Sequence, residues 1–170
     1  VSALAGNINT GTGTAGYVFS TAGSGYRVND ALSGISTGAG GDVTLSAGKD
    51  VTSYLPTQTG SHQDAGSGAF GSAPGDVTVT AGGSVYGHYV VANGAGQITA
   101  GNFAGDIGNK QLALTVAKGT WAVTARDITL QEVRNANGTF NGVGSPSTDT
   151  YHLYDYSPDA KVTLGAANGV

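Results

Sequence analysis

The sequence holds no cysteine and no methionine. Without cysteine there is no disulfide framework and no thiol chemistry, and nothing to cross-link a chain crossing a membrane unfolded. Charge is scarce: 11% of residues are Asp, Glu, Lys or Arg, and the net charge is −4. The seven Lys and Arg are scattered from Arg27 to Lys161 without forming a patch, which argues against nucleic-acid binding. No run approaches about 18 consecutive apolar residues, so no membrane-spanning helix is expected. No charged start leads into an apolar stretch, so no signal peptide is visible, and a targeting signal is expected to lie outside these residues or to have been removed. Leu, Glu, Lys and Arg, which long amphipathic helices favour, are too few to support them.

What is present is Gly, with 30 copies, together with Thr, Ser, Ala and Val; apolar residues make up 39%, enough to bury a core. This mixture predicts short strands joined by tight Gly and Asn turns. The strands follow a repeat. Residues 41–48 read Gly-Asp-Val-Thr-Leu-Ser-Ala-Gly, and residues 75–82 read Gly-Asp-Val-Thr-Val-Thr-Ala-Gly. Lys161-Val162-Thr163-Leu164-Gly165-Ala166 is a third copy, Asp127-Ile128-Thr129-Leu130 a looser fourth, and Gln97-Ile98-Thr99-Ala100-Gly101 a truncated fifth.

Apolar and polar residues alternate within each copy, which places Val43, Leu45 and Ala47 on one side of a half-buried strand. The same parity holds for Val77, Val79 and Ala81, for Leu112, Leu114 and Val116, for Trp121, Val123 and Ala125, and for Val162, Leu164 and Ala166. A second short strand is expected at Val51 and again at Val85, after a glycine corner. Strand, corner and strand, with the motif returning later, describe parallel strands coiled so that each turn stacks on the last. The fold class expected is therefore all-β, a parallel β-helix or β-solenoid with loop insertions, of about five to seven rungs. Thr44, Thr78, Thr129 and Thr163 are expected to form an outer hydroxyl ladder.

Residues 1–170 read as a single segment of a longer chain, with insertions at about 9–40, 53–75 and 134–158 where the repeat is broken by Gly, Ser and Pro. No polar cap is evident at either end, so continuation of the chain, or end-to-end self-association with neighbouring copies, is expected.

Gly40 to Val51, Gly75 to Val85 and Trp121 to Val133 resemble the repeats of filamentous-haemagglutinin-like exoproteins, the large adhesins exported by two-partner secretion. The resemblance covers residues 40–170. It implies a right-handed coil and a secreted protein, at the cell surface or in the extracellular matrix of a Gram-negative-type bacterium. It also implies an adhesive or matrix role, with a glycan or protein on a host or neighbouring cell as partner.

Motifs with catalytic or cofactor precedent do not hold up. Gly11-Thr12-Gly13-Thr14-Ala15-Gly16 matches a dinucleotide fingerprint in letters, yet neither a strand before it nor a helix after it is expected. Asp42 with Asp76, and Asp127 with Glu132, are the carboxylate pairs that a polysaccharide-acting enzyme would need. The repeat accounts for the first pair without chemistry, since Asp before a strand satisfies corner N–H groups. Gly38-Ala39-Gly40-Gly41-Asp42 does not recur at the spacing of a calcium-binding roll. His62, His88 and His152 stand apart from one another, which speaks against zinc. No catalytic residue, cofactor site or metal site is expected, and an enzyme is not.

The candidate contact residues are Tyr151, His152, Tyr154, Asp155 and Tyr156, where rings adjoin an acid, with Tyr86, His88 and Tyr89 as a second group. Such residues suit a recognition surface for sugar or protein. They equally suit an amphipathic strand that packs an insertion onto the rod, since Tyr154 and Tyr156 share a parity. Asn137-Gly138-Thr139 reads either as a glycosylation sequon or as a turn.

Overall fold

The structure, a computed structural model, describes residues 1–11, 17–18, 31–54, 65–70, 73–106, 110–116, 118–135 and 158–170. Within them the chain is all-β, without a helix, and nearly every strand pairing is parallel. No helix among the described residues is long and apolar enough to cross a membrane.

The strands, numbered in chain order, fall into three ladders that the chain visits in rotation. The first ladder stacks β1 (Ser2–Ala3), β5 (Val43–Ala47), β8 (Val77–Ala81), β10 (Ala95–Ala100), the opening of β13 (Thr120–Ile128) and β15 (Lys161–Gly169). The second joins β2 (Ile8–Asn9), β6 (Val51–Thr52), the start of β9 (Val85–Val91), β11 (Phe103–Ala104) and the end of β13. The third runs through β4 (Ala31–Thr37), β7 (Ala65–Ala69), the rest of β9, β12 (Leu112–Val116) and β14 (Leu130–Asn135). The one antiparallel pairing among the described residues is β3 (Tyr17–Val18) against β4.

Parallel register turns the alternation of the repeat into columns of like side chains. Leu45, Val79, Ile98, Val123 and Leu164 form one. Val43, Val77, Gly96, Trp121 and Val162 form a second, and Ile8, Val51, Val85, Ala104 and Ile128 a third, on the second ladder. The apolar side chains of these columns are buried except at β15, where Val162, Leu164 and Ala166 are half-buried against the cluster. The alternation expected from the sequence is met in β5, β8, β13 and β15, whereas β12, expected to be half-buried, is buried on both faces.

The Ala-Gly that closes each repeat has a steric cause. Gly48, Gly82 and Gly101 each donate their N–H to a carbonyl of the preceding pass, Ala3, Ala47 and Ala81 respectively, at 2.9–3.0 Å. A Cβ on Gly82 would run into the Gly48 carbonyl, and one on Gly101 into the Gly82 carbonyl. Close backbone approach, not a left-handed conformation, is what excludes a side chain there.

Three details depart from expectation. The Asp127-Ile128-Thr129-Leu130 copy is out of phase: Ile128 pairs with Ala104 on the second ladder, while Trp121 to Ala125 supply the first. Consequently Thr129 leaves the hydroxyl row. Thr44 and Thr78 are neighbours, but Gln97 and Ala122 follow them before Thr163, and the continuous outer row is Ser2, Ser46, Thr80, Thr99 and Thr124. Finally, β4 lies inside 9–40 and β7 inside 53–75, so these segments contribute strands as well as connections. Ala65-Gly66-Ser67-Gly68-Ala69 carries no large apolar side chain, which hides it from a periodicity search.

Candidate functional site

Of the expected contact residues, Tyr151, His152, Tyr154, Asp155 and Tyr156 lie outside the described residues, as do His62, Thr12 to Gly16 and Asn137-Gly138-Thr139. Tyr86, His88 and Tyr89 are described, and they are inside. His88 and Tyr89 have no exposed surface and Tyr86 is 7% exposed, which removes all three from the recognition surface expected of them. Tyr86 pairs with Thr52 on the second ladder, while His88 and Tyr89 sit on the third, which is covered on both sides along β9 and β12. Tyr89, Val91, Leu114 and Val116 join the central cluster, while the alternate positions His88, Val90, Ala113 and Thr115 are equally buried. Strands covered on both faces lose the apolar-polar alternation that marks a wet one.

The buried polar side chains of β9 and β12 are matched, whereas Gln131 Oε1 in β14 is buried without a hydrogen-bond partner. His88 Nε2 and Thr115 Oγ1 share a hydrogen bond of 2.7 Å, and Gly66 leaves room for the imidazole, since a Cβ on it would press on Nδ1. The Trp121 indole donates to the Thr115 carbonyl at 3.0 Å. The Tyr89 hydroxyl donates to the Tyr86 carbonyl at 3.0 Å. Burial pushes the Tyr89 hydroxyl well above the usual tyrosine range, the backbone hydrogen bond with Ser53 opposing it in part.

A raised folded-state pKa means that the unfolded chain loses this proton first. Tyr89 therefore supports the fold fully below about pH 10 and withdraws that support as pH rises further. Tyr89→Phe should cost about 1 kcal/mol near neutrality, and the gap from the parent should shrink above about pH 10 in urea titrations. A gap that stays constant to about pH 11 would show that the ring is not closed off from solvent.

Asp42 and Asp76 each give one carboxylate oxygen to the backbone of the next pass. The Asp76 N–H donates to Asp42 Oδ1 at 2.9 Å, and the Ala95 N–H donates to Asp76 Oδ1 at 2.8 Å. A parallel column stands at the entry to the second ladder: the Asp50 N–H donates to Asn7 Oδ1 at 3.0 Å, and the Ser84 N–H to Asp50 Oδ1 at 2.8 Å. The repeat's acid is thus a staple from one pass to the next, as the corner reading expects. Asp76→Ala should lower stability by about 0.5–1 kcal/mol in denaturant melts, and Asp76→Asn, which keeps the acceptor, by less. Equal losses would take the staple out of the account.

Asp127 and Glu132 do not share a ladder. Asp127 ends the first-to-second corner opposite Phe103, whereas Glu132 pairs with Ala113 in the third. Asp127 instead belongs to a surface group that spacing does not reveal. Its Oδ2 accepts from Arg126 Nε at 2.9 Å and from Asn168 Nδ2 at 3.4 Å. Arg126 Nη1 reaches Asn102 Oδ1 at 3.4 Å, and the guanidinium lies 4.9 Å from the centroid of the Phe103 ring. Asn102, Arg126 and Asn168 occupy three successive passes, so only the register unites them. Knowing that Asp127 faces Phe103 and Gly169 would have been the signal.

No three residues among His, Cys, Asp and Glu gather closely enough to hold a metal ion among the described residues. No protein-family model, no curated protein and no solved structure matches the chain.

Proposed function

We propose that this chain is a stretch of right-handed parallel β-helix whose work is structural and adhesive: a rod segment of a large secreted surface exoprotein, of the filamentous-haemagglutinin-like kind. The observation that carries this is the rotation through three parallel ladders with like residues in register from pass to pass. Each pass pairs with its neighbours, so the architecture lengthens by adding passes, which is what a spacer for surface display requires. The right hand follows the general preference of parallel crossovers. A catalytic role draws no support from Asp42 and Asp76, whose Oδ1 atoms already hold backbone N–H groups.

The test is direct. The purified chain should give a β-type circular dichroism spectrum and narrow particles of uniform width in electron micrographs, and beads coated with it should hold to epithelial or bacterial cells. A helical spectrum would end the fold reading, and beads that never adhere would end the adhesive one.

A second reading, a subunit that stacks end to end into a fibre, is favoured by one feature. In β15 the positions Val162, Leu164 and Ala166 are half-buried and its pairing partner is β13 alone among the described residues. Sedimentation over a wide concentration range separates the two: the fibre subunit grows with concentration and the rod segment does not.

A further inference from the structure

We propose that the corner formed by Asn102, Arg126, Asp127 and Asn168 is a subsite for a neutral hexose, gripped through two adjacent hydroxyl groups. The assignment deepens the adhesive reading and rests on it for the choice of an extracellular glycan as occupant.

Two irregularities of the ladders build the site. Successive side chains of a strand point to opposite faces. Arg126 and Asp127 nevertheless meet side by side, because the backbone turns there: the N–H groups of both residues donate to the single carbonyl of Asn102, at 3.0 and 3.1 Å. One pass further on, Ala125 pairs with Ala166 while Asp127 pairs with Gly169, so β15 carries an extra residue at this point. That bulge brings the Asn168 amide onto the Asp127 carboxylate. Bulges of this kind re-aim side chains out of a regular sheet.

The group differs in kind from the Asp42, Asp76, Asn7 and Asp50 staples, whose side chains accept backbone N–H groups of the next pass. Here side chain bonds to side chain on an open surface, with Arg126 45% and Asp127 34% exposed. The Phe103 ring beneath the guanidinium fixes the direction of Arg126, so less freedom is lost when a ligand arrives.

After these bonds the group retains two acceptors, Asp127 Oδ1 and Asn168 Oδ1, and two donors, Arg126 Nη2 and Asn102 Nδ2, without a partner among the described residues. A sugar hydroxyl both donates and accepts, and a vicinal pair therefore needs donors and acceptors set side by side. Charge selects the class of sugar. The Arg126 charge is answered by Asp127 at 2.9 Å and the chain carries −4 overall, which disfavours sulfated and sialylated glycans.

The test uses the whole chain with methyl α-D-mannopyranoside, methyl β-D-galactopyranoside and dextran sulfate, followed by saturation-transfer NMR and titration. At least one of the two neutral glycosides should bind. Asp127→Ala and Arg126→Ala should each weaken it by about tenfold or more, while Asp76→Ala leaves it unchanged. Thermal melts of the same variants show that they are folded, and Asn168→Ala, at an exposed position, gives an independent weakening. Neither glycoside binding the parent chain, undiminished binding by Asp127→Ala, or binding of dextran sulfate alone would each overturn the proposal. Bead adhesion is scored in parallel. Adhesion by the parent with neither glycoside bound removes the subsite and leaves the adhesive rod; failure of the parent beads with glycoside bound removes adhesion and leaves the subsite.

Discussion

Gly96→Val and Trp121→Val, each damaging alone, are expected to relieve one another when combined. The two residues are register partners in a column that otherwise reads Val43, Val77 and Val162. The chain spends the space of two side chains on one, with nothing at 96 and an indole at 121. A Cβ on Gly96 would stand 2.5 Å from Trp121 Cδ2 and Cζ3, closer than any real contact, so the ring must leave its place. Overpacking of this sort costs about 1–3 kcal/mol. Trp121→Val alone opens a cavity beneath Gly96 and frees the Thr115 carbonyl of its 3.0 Å indole bond, for a loss of about 3–5 kcal/mol. The double variant restores an all-valine column and fills that cavity. Its loss in urea melts should fall short of the sum of the singles by about 1–3 kcal/mol. Strict additivity would mean that the two sites do not share one volume.

Ile98→Ala should cost about 2–5 kcal/mol, and Leu164→Ala no more than about half of that, although the two residues hold the same column position. Ile98 is fully buried between Val79 and Val123, whereas Leu164 has Val123 on one side and is half-buried. Denaturant midpoints of the two variants give the ratio. Equal losses would show that Leu164 is as well covered in solution as Ile98, by whatever lies beyond β15.

How much of this could be read from the letters depends on the ladder. The first is wet on its outer side, so Val43, Leu45 and Ala47 alternate with polar neighbours and announce both the strand and the face it buries. The third is dry on both sides along β9 and β12. In β9 Val85 to Val91 are buried without interruption, so Tyr86, His88 and Tyr89 look like a surface aromatic group while serving as core. β7 escapes for the opposite reason, since Gly and Ala leave no periodic signal. The misphased copy at Asp127 has a third cause. Thr120 to Ile128 run unbroken across a corner, and a two-residue periodicity cannot tell which side of the corner a residue occupies.

The surface group at that corner was illegible for a related reason. Asn102, Arg126 and Asn168 stand far apart in sequence, and the passes between them are of unequal length. Asp42 and Asp76 were legible because the same residue opens the same strand motif in two neighbouring passes, and what recurs can be found by eye.

The staples and ladder hydrogen bonds have a mechanical consequence. They point from pass to pass, along the stack and across the strands. A pull applied between the two ends of the stack therefore meets them in series, one pass at a time, and not all together in shear. Under tension the chain should yield by peeling from an end in small steps, each releasing one pass of slack, and should rewind when the force drops, because the neighbouring pass still presents its template. A tether that gives way in this fashion dissipates sudden loads without losing its anchorage.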